Sequence, residues 1–249
     1  MRTAVAIWRI LCVIGMVASG LWLAGVVMPR RDAAGRRAIV QRWSLQMLRR
    51  LGVELRVSGS AHPGAVLMVA NHVSWLDIPA LHASAPQARF VSKAAIAHWP
   101  LLGQLARAGG TLFIERERKR DALRVVHEVA GALRQGDAVA VFPEGTTGAG
   151  HAVLPFHANL LQAAITTATA VQPVVLRYRE PGQAVSTAAQ YIDDTTLVAS
   201  LMKVCRARGL VVELRFLPAE PALELDRRVL AQRLQGRIAD ELRIMTTAA

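Results

Sequence analysis

The chain has 249 residues, 53% of them hydrophobic and 19% charged, which is too apolar for a disordered protein and too short for several domains. Its two cysteines, Cys12 and Cys205, stand far apart, which excludes a disulfide framework and a cysteine-based zinc site. The net charge of +12 is unevenly spread: residues 1–60 carry +8 of it. A nucleic-acid-binding face would interleave basic and aromatic residues on the folded domain. Here the excess flanks an apolar run, so membrane lipids are the expected partner and nucleic acid is not.

That run, residues 10–28, is 19 residues without a charge, and at 1.5 Å per residue it reaches roughly 28 Å, about one hydrocarbon core. It predicts a transmembrane helix with Trp8 near an interface, and an anchor over residues 1–29. Arg30, Arg31, Arg36 and Arg37 follow closely, and this heavier basic flank holds the downstream chain on the cytoplasmic side. A cleaved signal peptide and a buried core helix are the competing readings. The run is longer than a signal core, and the basic flank opposes export.

Residues 30–52 place Ile39, Trp43, Met47 and Leu51 at four-residue spacing with arginines between them, a basic amphipathic helix. It would lie on an anionic leaflet or pack on the domain with its basic face in solvent. From 53 to 249, β-rich runs at 53–57, 65–70, 89–91, 111–114, 138–142, 171–178 and 210–217 alternate with helical patterns. The helices fall near 78–84, 94–107, 119–135, 156–168, 196–207 and 226–245. Such alternation predicts a single α/β domain with a central mixed sheet covered by helices.

Three segments carry chemistry. The apolar strand ending at Ala70 delivers Asn71-His72-Val73-Ser74-Trp75-Leu76-Asp77. A turn there can return Asp77 to the imidazole, fix its tautomer and leave Nε2 to take a proton from a hydroxyl. Read singly, such a pair is more often a helix cap or a surface contact. The strand at 138–142 runs into Phe142-Pro143-Glu144-Gly145-Thr146-Thr147. Gly145 permits close backbone approach, and the Thr146 and Thr147 hydroxyls can bind a polar head group; an ordinary turn with Glu144 in an ion pair is the alternative. The third segment, Gly110 to Arg116, ends a strand in a guanidinium suited to phosphate. The other histidines form no His-x3-His or Glu-x2-His pair, although His151 and His157 flank the loop after Thr147.

In this order and spacing, the segments resemble the glycerolipid acyltransferase family, with its Asn-His-x4-Asp and Phe-Pro-Glu-Gly-Thr blocks. Val171-Gln172-Pro173-Val174 resembles a further, shorter block, and the resemblance covers roughly residues 50–220. It implies that His72 is the general base on a lysolipid hydroxyl, which attacks an acyl thioester, and that Asp77 orients His72. It also implies that Arg116, Glu144 and Gly145 bind glycerol phosphate and that Pro173 shapes the site. Acyl-CoA or acyl-carrier protein would be the donor substrate, with no resident cofactor or metal. No Gly-x-Ser-x-Gly elbow occurs, which argues against a serine lipase.

The resemblance thus implies a single-pass enzyme of the cytoplasmic (inner) membrane that makes phosphatidic acid from 1-acylglycerol 3-phosphate. One departure bears on the acceptor. Many phosphatidate-forming members carry Arg after Phe-Pro-Glu-Gly-Thr, where this chain has Thr147. Relatives that acylate lyso-ornithine lipid look similar in this block, so that acceptor is the alternative. A non-catalytic membrane-tethered lipid-binding module is the alternative of another class.

Overall fold

The computed structural model describes residues 2–114, 119–222 and 226–247. Seven strands form one sheet among these residues: β1 (Val53–Ser58), β2 (Val66–Ala70), β3 (Ala88–Lys93), β4 (Leu112–Ile114), β5 (Ala138–Val141), β6 (Ala170–Arg179) and β7 (Leu210–Phe216). Their order is β1-β7-β6-β2-β5-β3-β4. Every neighbouring pair is parallel except β6 and β7, so the sheet is mixed, as expected. All seven expected strands are present within a residue or two at each end.

Both faces of the sheet are covered, which explains why β2 and β5 read as unbroken apolar runs. The side-chain period of two sends Val66, Met68 and Ala70 into one core with Ala138, Ala140, Val174, Leu176 and Tyr178. Leu67 and Val69 enter a second core with Val139, Val141, Val171 and Val175. The first core is closed by α1 (Arg2–Trp22), α2 (Ala33–Leu51), α3 (Asp77–Ser84) and α8 (Leu197–Arg206). The second is closed by α6 (Lys119–Arg134), α7 (Leu161–Thr166) and α9 (Arg227–Thr247).

The helix expected over 94–107 is two short ones, α4 (Ala94–Ala97) and α5 (Leu102–Ala108). Pro100 lacks the N–H and the space to continue a helix, so the chain turns a corner there.

The N-terminal helix continues through a π stretch, Leu23–Val27, and a 3₁₀ turn, Met28–Arg30, and it is long and apolar enough to cross a membrane. Instead of standing clear of the domain, α1 lies against it. Ala6, Met16 and Gly20 are buried, while Trp8, Leu11, Ile14, Trp22 and Val26 on the other side are exposed. Trp43 of α2 donates from Nε1 to the Met16 carbonyl at 3.0 Å. Arg9 donates to the carbonyls of Cys205 and Ala207 at 3.1 and 2.7 Å, placing a cation where the α8 dipole is negative. The apolar face of α2 packs inward through Met47, Leu48 and Leu51, and Arg36, Arg37, Arg42, Arg49 and Arg50 stay in solvent.

Candidate active site

The chain leaves β2, β3, β4 and β5 at one end of the sheet, where loops of a parallel sheet gather ligands. Asn71 makes the exit from β2 rigid: its side chain donates to the Leu176 carbonyl and accepts from the Leu176 N–H, both at 2.8 Å. His72 follows, half-open, with its side chain 19% exposed.

Asp77 opens α3 and is fully buried. Its Oδ2 lies 2.7 Å from His72 Nδ1 and accepts from the N–H groups of Val73 at 2.8 Å and Ser74 at 3.0 Å. Its Oδ1 accepts from the Tyr178 hydroxyl at 2.6 Å. Four donors therefore compensate one buried carboxylate, which keeps it an acceptor for Nδ1–H and leaves the Nε2 lone pair for a substrate proton. Burial, followed by the Asp77 charge and hydrogen bond, pushes Tyr178 well above the usual phenol range, so it remains a donor.

The loop after β5 supports the same histidine. Phe142 stacks on the His72 ring at 4.1 Å and 14°, and Phe90 continues the stack to the edge of His82. The His72 N–H donates to Glu144 Oε1 at 3.0 Å, and the Gly148 N–H donates to the His72 carbonyl at 2.7 Å. Glu144 is buried, and its Oε2 has no hydrogen-bond partner among the described residues. Burial pushes its carboxyl up to about 7, against the backbone N–H groups of His72 and Leu154. It is no partner in an ion pair among the described residues. His82 is also buried, and desolvation lowers it to about 4, so it is neutral.

Gly145 has φ +72°, and a Cβ there would lie 3.2 Å from Cδ2 of His157, so both conformation and space call for glycine. His157 is exposed at this rim. Thr146 is exposed as well, while the Thr147 hydroxyl donates to the Tyr191 carbonyl and so ties down the 188–195 loop. Pro173 is buried in β6 opposite Val69, three residues before His72 along β2, roughly 10 Å below the catalytic end. Arg116 lies outside the described residues.

The structure thus brings His72, Asp77, Glu144, Gly145 and Thr147 together and leaves Pro173 in the floor of the sheet. It adds Tyr178, Phe142 and Asn71, which sequence reasoning did not single out as site residues. Tyr178 is 101 residues from Asp77. Its one signal in the chain is a phenol set between two arginines at the end of β6.

A histidine fixed by a buried carboxylate beside a glycine turn can activate a hydroxyl for attack on a carbonyl. Comparison with known proteins agrees with this chemistry. The acyltransferase family profile, described as "Acyltransferase", matches residues 52–177. Among curated relatives, a lyso-ornithine lipid O-acyltransferase of Pseudomonas aeruginosa is 38% identical, over 95% of this chain and 92% of its own. A 1-acyl-sn-glycerol-3-phosphate acyltransferase of Neisseria gonorrhoeae is 37% identical, over 72% of this chain and 69% of its own. The crystal structure of the 1-acyl-sn-glycerophosphate (LPA) acyltransferase PlsC from Thermotoga maritima superposes with a TM-score of 0.71 at 17% identity, over 98% of each chain, and shares the fold. The chain belongs to the acyltransferase family. It is an acyltransferase of lipid synthesis, associated with the membrane.

Proposed function

We propose that the protein transfers an acyl chain from an acyl thioester to the free hydroxyl of lyso-ornithine lipid. The observation that carries this is the near end-to-end likeness to the Pseudomonas enzyme named for that reaction. Thr147 supports it: where a phosphate-binding arginine would stand, the side chain is a hydroxyl already engaged by Tyr191. His72 takes the acceptor's hydroxyl proton at Nε2, and Asp77 stabilises the imidazolium. The alkoxide oxygen bonds to the thioester carbonyl carbon, the carbon–sulfur bond breaks, and the imidazolium returns its proton to the leaving thiolate. We assign acceptor binding to Glu144, Gly145 and Thr146 and, by the family resemblance, to Arg116.

The second reading is phosphatidic acid synthesis from 1-acylglycerol 3-phosphate, favoured by the likeness to the Neisseria enzyme. Labelled acyl-CoA and acyl-carrier protein, each offered with the two acceptors side by side, separate the readings. Product from lyso-ornithine lipid, lost in His72→Ala, is the expected result. Product from 1-acylglycerol 3-phosphate alone would overturn the assignment of acceptor.

We place the enzyme at the cytoplasmic (inner) membrane with the α/β domain on the cytoplasmic side. A single crossing by α1 is one arrangement. The packing of α1 on α2 and α8 favours another, in which α1 lies in the interface plane and its exposed stripe sinks roughly 5–10 Å into the lipid. A tag at the N-terminus reachable from the cytoplasmic side supports the in-plane arrangement, and one reachable only from the other side supports the crossing.

A further inference from the structure

The corner between α4 and α5 exposes apolar surface that the acyl-transfer site does not use. Residues 98–101 are all exposed, with Trp99 at 46% and Leu101 at 50%. The corner is a built one. Leu101 has φ 65° and ψ −54°, and the Leu102 N–H donates to the Pro100 carbonyl at 2.7 Å: a γ-turn of the rare, strained hand. Gly103 lets the two helices close, since a Cβ there would fall 2.3 Å from the Ala97 carbonyl oxygen. Arg107 donates to that same carbonyl and lies over the Phe113 ring, 5.6 Å from its centroid. A leucine held in a left-handed conformation at a solvent-facing tip costs on the order of 1–3 kcal/mol, and half of its surface is left to solvent.

Its surroundings point to what it meets. Leu101 begins the turn that ends at Leu105, and Leu105 Cδ2 would touch a Cβ on Gly20 of α1 at 2.8 Å. The same short helix borders the Leu23–Val27 stretch. The exposed apolar stripe of α1 reaches that stretch through Trp22 and Val26, so the corner continues the surface that gives the chain its membrane association. The charge agrees: from Ile78 to Ile114 there is no acidic residue, and Lys93 and Arg107 are basic while Arg89 is paired with Asp137, which suits an anionic leaflet. Tryptophan beside proline and leucine is the composition of an interfacial wedge.

We propose that residues 98–101 insert into the lipid bilayer beside the C-terminal part of α1, as a second point of attachment. The corner follows β3, which leaves the sheet at the same end as β2 and lies two strands from it, roughly 10 Å away. Two attachments on this end fix the tilt of the domain and bring the opening above His72 down to the lipid surface. A lysolipid then presents its hydroxyl to Nε2 without leaving the bilayer. The proposal rests on membrane association and not on which acceptor is used.

The test uses the full chain in phosphatidylcholine–phosphatidylglycerol vesicles containing lipids brominated along their acyl chains. The difference in emission between wild type and Trp99→Phe isolates Trp99. Insertion predicts that more than about half of that difference is quenched by the bromines; a difference left unquenched overturns the proposal. This readout is independent of acyl transfer. The double substitution Trp99→Asp and Leu101→Asp should lower transfer to acceptor embedded in vesicles about tenfold, and transfer to the same acceptor in detergent micelles less than about twofold. Equal loss in both would show that the corner serves the fold alone, and no loss in vesicles would show that it stays in water.

Discussion

Replacing Tyr178 with Phe removes one oxygen from the interior and tests how the base is held. Oδ1 of Asp77 accepts from the Tyr178 hydroxyl and from no other group among the described residues, and both residues are buried. A hydrogen bond to a charged group contributes about 1.5–3 kcal/mol, and the orphaned oxygen cannot recover it from water. At about 2–4 °C per kcal/mol for a chain of this size, the midpoint of thermal unfolding should fall by about 3–12 °C. The catalytic effect has a definite sign. A carboxylate with less hydrogen bonding attracts the Nδ1 proton more strongly and so favours the protonated imidazole. The acid limb of the kcat profile should therefore move to higher pH. The assays are a thermal scan of the full chain in detergent and kcat measured from pH 5 to 9. A lower midpoint with an unmoved acid limb would mean that Tyr178 only fills space, and no change in either would refute the account of Asp77.

Two predictions concern pH and stability. Glu144 titrates at about 7 in the fold and at its ordinary 4.5 when unfolded, so the folded state is favoured below pH 4.5 and loses that advantage as pH rises through 7. With allowance for water at the half-open site the loss is about 2 kcal/mol. In Glu144→Gln the urea midpoint should no longer fall between pH 4.5 and 8, and an unchanged fall would contradict the assignment. His82 has the opposite sign: lowered by burial to about 4 from 6.5, it contributes stability above pH 6.5 that is lost as pH falls through 4, about 3 kcal/mol in all. His82→Leu should flatten this acid slope, and an equally acid-sensitive variant would show that another group is responsible.

Local order was largely legible in the sequence because both faces of the sheet are buried and the runs of Val, Leu and Ala announce their strands without reference to neighbours. The contact between His72 and Asp77 was legible for a local reason too, since the two sit within one turn. Pairings that form only in the folded chain were not. Nothing in the run from Ala170 to Arg179 shows that it lies parallel to β2 on one side and antiparallel to β7 on the other, or that its Tyr178 reaches Asp77. The N-terminal helix was legible as an apolar run, but its packing was not. From Ile10 onward it is without charge on every side, so its composition could not separate the stripe that meets the domain from the stripe that stays bare. Pro100 did mark the break between α4 and α5, but the apolar spacing of residues 94–107 masked it.

The bond from Arg9 to the end of α8 also bears on how the protein is made. Its two carbonyl partners lie 196 and 198 residues further along the chain. At 5–20 residues per second they leave the ribosome about 10–40 s after the arginine does. During that interval Arg9 has neither of these partners. The N-terminal helix cannot dock on the end of α8 until the last fifth of the chain is being made, so this contact is among the last to form during synthesis.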